Sequence, residues 1–166
     1  MRPVFAYYGF TPVSLDDFAC GVPELDDFLR RDASRFVEQG LSAVKLLIDE
    51  DCKKAIGFYA ISPATVQIKW LSAAQQNHFH VSFPIPAWLI GRLAVDRAYQ
   101  RRHFGGILLC DAVLNIQKRA HQGAGALIIV DAKDATVKHF YEKYGFTALY
   151  TQRNLKLARP IAEVEN

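Results

Sequence analysis

Two runs, AWLIGRLAV at Ala87–Val95 and ALIIVDA at Ala126–Ala132, leave this chain few ways to fold. Neither offers a polar face to water, as expected of strands lying inside a sheet that helices cover. Between them, Gly105 to Ala120 places Leu108, Leu109, Ala112, Val113 and Ile116 at helical spacing. Strand, helix and strand in that order form a crossover, the connection that parallel neighbours require.

The rest of the pattern fits around this unit. Pro23 to Gln39 puts Leu25, Phe28, Leu29, Ala33, Phe36 and Val37 on one helical face, with Pro23 suited to the first turn and Gly40 to the stop. Ser42–Ile48, Ala55–Ser62 and TVQIKW read as hairpin strands around the charged turn DEDCKK. A polar, proline-bearing connection runs from Leu71 to Pro86. Asp134 can cap a short helix, ATVKHFYEKY, that Gly145 terminates; FTALYTQ follows as a strand, and LKLA can add another. The order implies an α/β (α+β) fold with a mixed sheet and helices on both faces, expected as a single domain over residues 1–166.

Composition narrows the class. Half of the 166 residues are hydrophobic (51%), enough for a sizeable core and against intrinsic disorder. The net charge of +3 suits an anionic ligand or RNA without requiring one. Cys20, Cys52 and Cys110 are widely spaced and odd in number, so reduced thiols in a cytoplasmic protein are expected rather than disulfides or a zinc site. The N-terminus lacks the apolar core of a signal peptide. The longest uncharged run, LSAAQQNHFHVSFPIPAWLIG, is too polar to span a bilayer, and a soluble protein is expected.

The joint between the buried strand and the helix reads YQRRHFGGILL, Tyr99–Leu109. A helix opening there aims unpaired backbone N–H groups at one spot, its dipole adds positive potential, and glycines let a ligand approach the backbone. This is the physics of a phosphate cradle. The Walker pattern is absent, and GAGAL at Gly123–Leu127 runs from helix into strand, which makes it a turn rather than a dinucleotide fingerprint.

LAVDRAYQRRHFGGILLCDAV followed by VKHFYEKYGF resembles the acetyl-CoA loop and C-terminal signature of the GNAT N-acetyltransferases. ACGVPELDDFLRR and IPAWLIGRLAVD extend the likeness to the GNAT toxins of toxin–antitoxin pairs, which acetylate the amino group of aminoacyl-tRNA. The resemblance covers Phe18 to about Leu157. It implies a largely antiparallel twisted sheet, acetyl-CoA as cosubstrate with no metal, an antitoxin partner and a homodimer. It also implies that Leu93, Ala94 and Val95 supply backbone hydrogen bonds to the acetyl and pantetheine groups. Gln100, Arg101, Arg102, His103, Phe104, Gly105 and Gly106 would form the pyrophosphate loop, Ala132 and Phe140 would flank the coenzyme arm, and Tyr141 would be the general acid. A small-molecule or protein amine is the alternative acceptor, and an inactive GNAT-fold binding module the alternative class.

One loop position departs from the family pattern. His103 stands where the first loop glycine is expected, and a positive φ there would cost a side-chain-bearing residue roughly 1–2 kcal/mol. On helical spacing alone, Tyr141 is better read as a packed aromatic with a satisfied hydroxyl, on a helix whose core face includes Val137, Phe140 and Tyr144. Asp96 and Asp131, each at the end of an apolar strand, are expected as caps; His78, His80, His121 and His139 as solvent-exposed. Arg30, Arg31 and Arg35 are most simply a solvated helix face; with a tRNA substrate, they join Arg92 and Arg97 as candidate phosphate contacts.

Overall fold

A computed structural model describes residues 1–162. The chain divides into two compact units, Met1–Ser62 with Gly91–Ala112, and Pro63–Ile90 with Val113–Asn166. Seven strands form one sheet in the order β1-β2-β3-β4-β5-β7-β6. They are β1 (Pro3–Tyr7), β2 (Ala43–Asp49), β3 (Lys54–Val66), β4 (Ile85–Val95), β5 (Leu127–Asp131), β6 (Thr147–Ala148) and β7 (Lys156–Pro160). The expected crossover is present: β4 and β5 pair in parallel, Ala87 opposite Leu127 through Ile90 opposite Val130. The pairs β1–β2, β2–β3, β5–β7 and β6–β7 are antiparallel, which makes the sheet mixed and largely antiparallel.

In the first unit, α1 (Pro23–Asp27) passes through a π-helical turn, Phe28–Asp32, into α2 (Ala33–Glu38). The sequence pattern predicts an uninterrupted helix here. The extra residue of the wide turn accompanies burial of two consecutive side chains, Phe28 and Leu29, while Val37, expected inside, is exposed. Phe18, Phe28, Leu29, Leu46, Ile48 and Phe58 belong to this unit's core. Gly57 of β3 is held to glycine by space. A Cβ there would lie 2.5 Å from the Ala94 carbonyl oxygen and 2.7 Å from Leu108 Cδ1.

In the second unit, Leu71, Ile85, Leu127, Ile129 and Leu149 belong to a separate core. The polar stretch expected as a connection contains α3 (Ala73–Phe79), opened by a capping box in which Ser72 Oγ accepts from the Gln75 amide and the Gln75 side chain accepts from the Ser72 amide. TVQIKW is strand only as far as Val66 and then makes a 3-10 turn, Ile68–Trp70. FTALYTQ pairs over two residues alone, whereas LKLA becomes the full strand β7. Gly125 takes φ +143° against the Trp88 ring, confirming GAGAL as a turn. The crossover helix, α4 (Phe104–Gln122), buries all five of its expected inward residues. The last helix, α5 (Ala135–Glu142), is capped by Asp134, whose Oδ1 accepts from the Val137 amide, and Gly145 at φ +82° follows it.

Candidate active site

The loop is built from the end of β4 outward. Asp96 behaves as the expected cap: its Oδ1 accepts from the Ala98 amide at 2.9 Å and its Oδ2 from the Ala19 amide at 2.9 Å. Gln100 then locks the loop rather than facing a ligand with its amide protons. Its Nε2 donates to the Val95 carbonyl at 2.9 Å and to the Cys20 carbonyl at 2.8 Å. Arg101 and His103 both adopt left-handed backbone, φ +61° and +63°. His103 therefore takes the conformation that a glycine would supply, at a strain on the order of 1–2 kcal/mol.

Phe104 opens α4, and the bond from the Ile107 amide to the His103 carbonyl at 3.2 Å precedes the helical ladder. Among the described residues, no backbone or side-chain acceptor takes the amides from Arg101 to Gly106. Left-handed residues in such a run turn successive N–H groups toward a common concavity, and a helix of 19 residues adds its positive end. Phe104 is buried, Gly105 and Gly106 are half-buried, and Arg101, Arg102 and His103 are exposed. On β4, Ala94 is buried and Leu93 and Val95 are half-buried.

The CG–LD segment near the N-terminus braces this loop. The Asp26 carboxylate, itself buried, accepts from the Cys20 amide at 2.7 Å. Gly21 takes φ +97° with the Arg97 guanidinium where a Cβ would point, 3.0 Å away. The Arg97 amide donates to the Ala19 carbonyl, and Gln100 reaches Cys20 as above. Burial, with Asp26 adding to it, pushes the Cys20 thiol up to about 11, so it stays protonated and is no nucleophile.

Tyr141 lies in the second unit, on α5. Sequence spacing expects Val137, Phe140 and Tyr144 inward; instead these are half-buried and Tyr141 is the buried member, 6% exposed. Its ring sits edge-on to Phe140 and Phe146, centroids 5.2 and 5.6 Å away. Burial first, and the Asp131 charge second, push its phenol up to about 12. The hydroxyl has no hydrogen-bond partner among the described residues. Among the described residues no fully buried side-chain oxygen or nitrogen lacks a partner, so the Tyr141 oxygen keeps some exposure at the tip of a buried ring. Ala132 is buried and donates its amide to the Leu155 carbonyl at 2.8 Å. Asp131 is not a cap: it is exposed and pairs with Lys156 Nζ at 2.6 Å.

The candidate phosphate-binding arginines are largely engaged with their own helix. Arg30 and Arg31 lie 3.7 and 3.8 Å from Asp27, and Arg35 lies 3.1 Å from Asp32. Arg92 is half-buried, its guanidinium 3.8 Å above the Phe28 ring; burial lowers its pKa. Arg35 and Arg92 both face Phe36, at 5.0 and 5.1 Å. The four histidines named above are exposed, His78 on α3 and His80 in its left-handed cap.

Two side-chain groups lie outside the sequence-based candidates. In the first unit, Asp111 of α4 accepts from Tyr59 at 2.6 Å and pairs with Lys45 at 2.9 Å. The lone Lys45 inside SAVKLLI was its signal. In the second unit, a cleft of about 650 Å³ carries Lys69, Trp70, Lys133, Tyr150, Arg153 and Lys156 along its wall. These six come from three separate segments, so no local pattern gathers them.

Known proteins resemble this chain in sequence and in fold. The family model described as an acetyltransferase (GNAT) domain matches residues 42–148. The "tRNA-acetylating toxin" of Mycobacterium tuberculosis is 32% identical over 129 residues, covering 78% of this chain and 75% of that protein. The "Probable toxin TacT" of Sinorhizobium fredii is 26% identical over 156 residues, 90% of this chain and 86% of that one. Among solved structures, AtaT complexed with acetyl-methionyl-tRNAfMet superposes with a TM-score of 0.88 at 20% identity, covering 96% of this chain and 95% of AtaT. A mutant AtaT bound to the C-terminus of the antitoxin AtaR and acetyl-CoA gives 0.79, also at 20% identity, over 96% and 93%. The family model spans more than half of the sequence, and a relative above 30% identity covers most of it: the chain belongs to the GNAT acetyltransferase family.

Proposed function

We propose that this chain transfers the acetyl group of acetyl-CoA to the α-amino group of an aminoacyl-tRNA, and so blocks translation as the toxin of a toxin–antitoxin pair. The observation that carries the reading is the run of acceptor-less amides from Arg101 to Gly106 at the head of α4. Such a run suits a diphosphate, whose oxygens accept several N–H bonds at once. Leu93, Ala94 and Val95 serve the acyl arm through their backbone, with Ala132 and Phe140 beside it.

Tyr141 acts on the leaving sulfur. As the amine attacks, the C–N bond forms and the C–S bond breaks; the phenol gives its proton to sulfur and recovers one from the nitrogen that has just been acylated, so it ends neutral. A phenol near 12 facing a thiol near 8.5 makes complete transfer uphill by about 5 kcal/mol, so the proton must move in step with C–S cleavage. The antitoxin and a second copy of the chain are the partners of this reading, and the acceptor follows the names of the relatives.

Incubation with labelled acetyl-CoA and a pool of charged tRNA tests it. Label should appear on an aminoacyl-tRNA, and growth arrest on expression should vanish with Tyr141→Phe. Label confined to unreacted acetyl-CoA, with no arrest, overturns the acceptor assignment. Absence of calorimetric heat with acetyl-CoA up to millimolar concentration overturns the loop assignment as well.

A further inference from the structure

We propose that the cleft between the Trp70 turn and the β6–β7 connection is a binding site for single-stranded RNA, in which Tyr150 stacks on a base and Lys69, Lys133 and Arg153 hold phosphates. This rests on the acceptor reading above and gives it a location.

The cleft lies wholly within the second unit, and its volume of about 650 Å³ is that of a small-ligand site. Two of its walls are tied to each other by backbone: the Tyr150 amide donates to the Trp70 carbonyl at 2.9 Å. Tyr150 is 67% exposed, which leaves its ring accessible to a base in the cleft. Trp70 is half-buried, with Lys156 Nζ 5.8 Å above its ring.

Charge points the same way. Asp131 is the one carboxylate in the wall, and Lys156 occupies it at 2.6 Å. Among the described residues, Lys69, Lys133 and Arg153 have no carboxylate partner. Aromatic faces interleaved with uncompensated cations are the elements of a single-strand platform, where stacking tolerates any base and cations follow the backbone. Asp131 is also the charge that adds to the raised pKa of Tyr141, so the cleft wall and the phenol have one neighbour in common.

Fluorescence anisotropy with a labelled single-stranded RNA of about eight nucleotides tests the site on the full chain. Tyr150→Ala should weaken binding roughly 5- to 100-fold. Lys133→Ala and Arg153→Ala should each lower the salt slope of log K by about 0.7. Lys54→Ala, in the first unit and paired with Asp17, should change neither. Acetyl-CoA binding by calorimetry should be unaltered in Tyr150→Ala, which shows the variant folded. Unchanged RNA affinity in a folded Tyr150→Ala, or displacement of the RNA by an acidic peptide as readily as by unlabelled RNA, overturns the proposal. If wild-type protein labels no tRNA yet Tyr150→Ala still loses oligonucleotide binding, the site stands and the acceptor reading falls.

Discussion

The Arg101–Gly106 loop and Tyr141 rest on different kinds of chemistry. The loop is written in backbone. Its donors are amides, its shape comes from two left-handed residues, and the side chain of Gln100 is occupied in bracing it. Tyr141 is written in one atom, the oxygen at the tip of a ring that Phe140 and Phe146 enclose. A backbone site tolerates changes of side chain so long as φ and ψ survive. A site made of one oxygen does not.

The largest expected effect comes from removing that oxygen. Tyr141→Phe should lower acetyl transfer by about 10²–10⁴-fold while leaving acetyl-CoA affinity unchanged, measured by initial rates beside calorimetry. Retained turnover would dissolve the contrast, because the acid would then lie elsewhere. The same residue contributes to alkaline stability. The unfolded phenol titrates near 10 and the folded one near 12, so the folded state keeps its proton more tightly. The contribution is full below pH 10 and is lost as pH rises from 10 toward 12, by up to about 3 kcal/mol. Urea midpoints at pH 9 and 11 should fall in both proteins, through the Cys20 thiol, and fall less in Tyr141→Phe by about 1 kcal/mol.

On the backbone side, Gly57→Ala should cost about 1–3 kcal/mol, because the new methyl meets a carbonyl oxygen that cannot retreat. It should also weaken acetyl-CoA binding, since the carbonyl it pushes belongs to Ala94. Normal affinity in a destabilised Gly57→Ala would separate β4 from the coenzyme. The smallest effect is the most diagnostic. His103→Gly relieves a left-handed φ and should stabilise by at most about 1 kcal/mol, with acetyl-CoA affinity unchanged or tighter. A large loss of affinity would mean that the imidazole, rather than the amide behind it, holds the phosphate.

Much of this was readable beforehand where the pattern was long and periodic. The crossover from β4 through α4 to β5, the five inward residues of α4, and the caps at Asp96 and Asp134 follow from apolar spacing and turn chemistry. Short or locally ambiguous elements were not. β1 is only five residues on a sheet edge, α3 hides in a polar stretch behind its Ser72–Gln75 box, and Asp131 looks like a cap until Lys156 arrives from β7. Arg30, Arg31 and Arg35 read most simply as a solvated helix face, and Asp27 and Asp32, one turn away, pair with them there.

By itself, the order of residues determined the sheet-and-helix plan and the position of the loop, because hydrophobic period and glycine placement act over a few neighbours. Tertiary structure alone decided that Cys20 and Gln100, eighty residues apart, are joined by a hydrogen bond. It alone decided that Tyr141 rather than its helical neighbours is buried, and that Trp70, Lys133 and Tyr150 share one wall. Those outcomes depend on which distant surfaces exclude water from one another, and a local pattern carries no record of its distant partner.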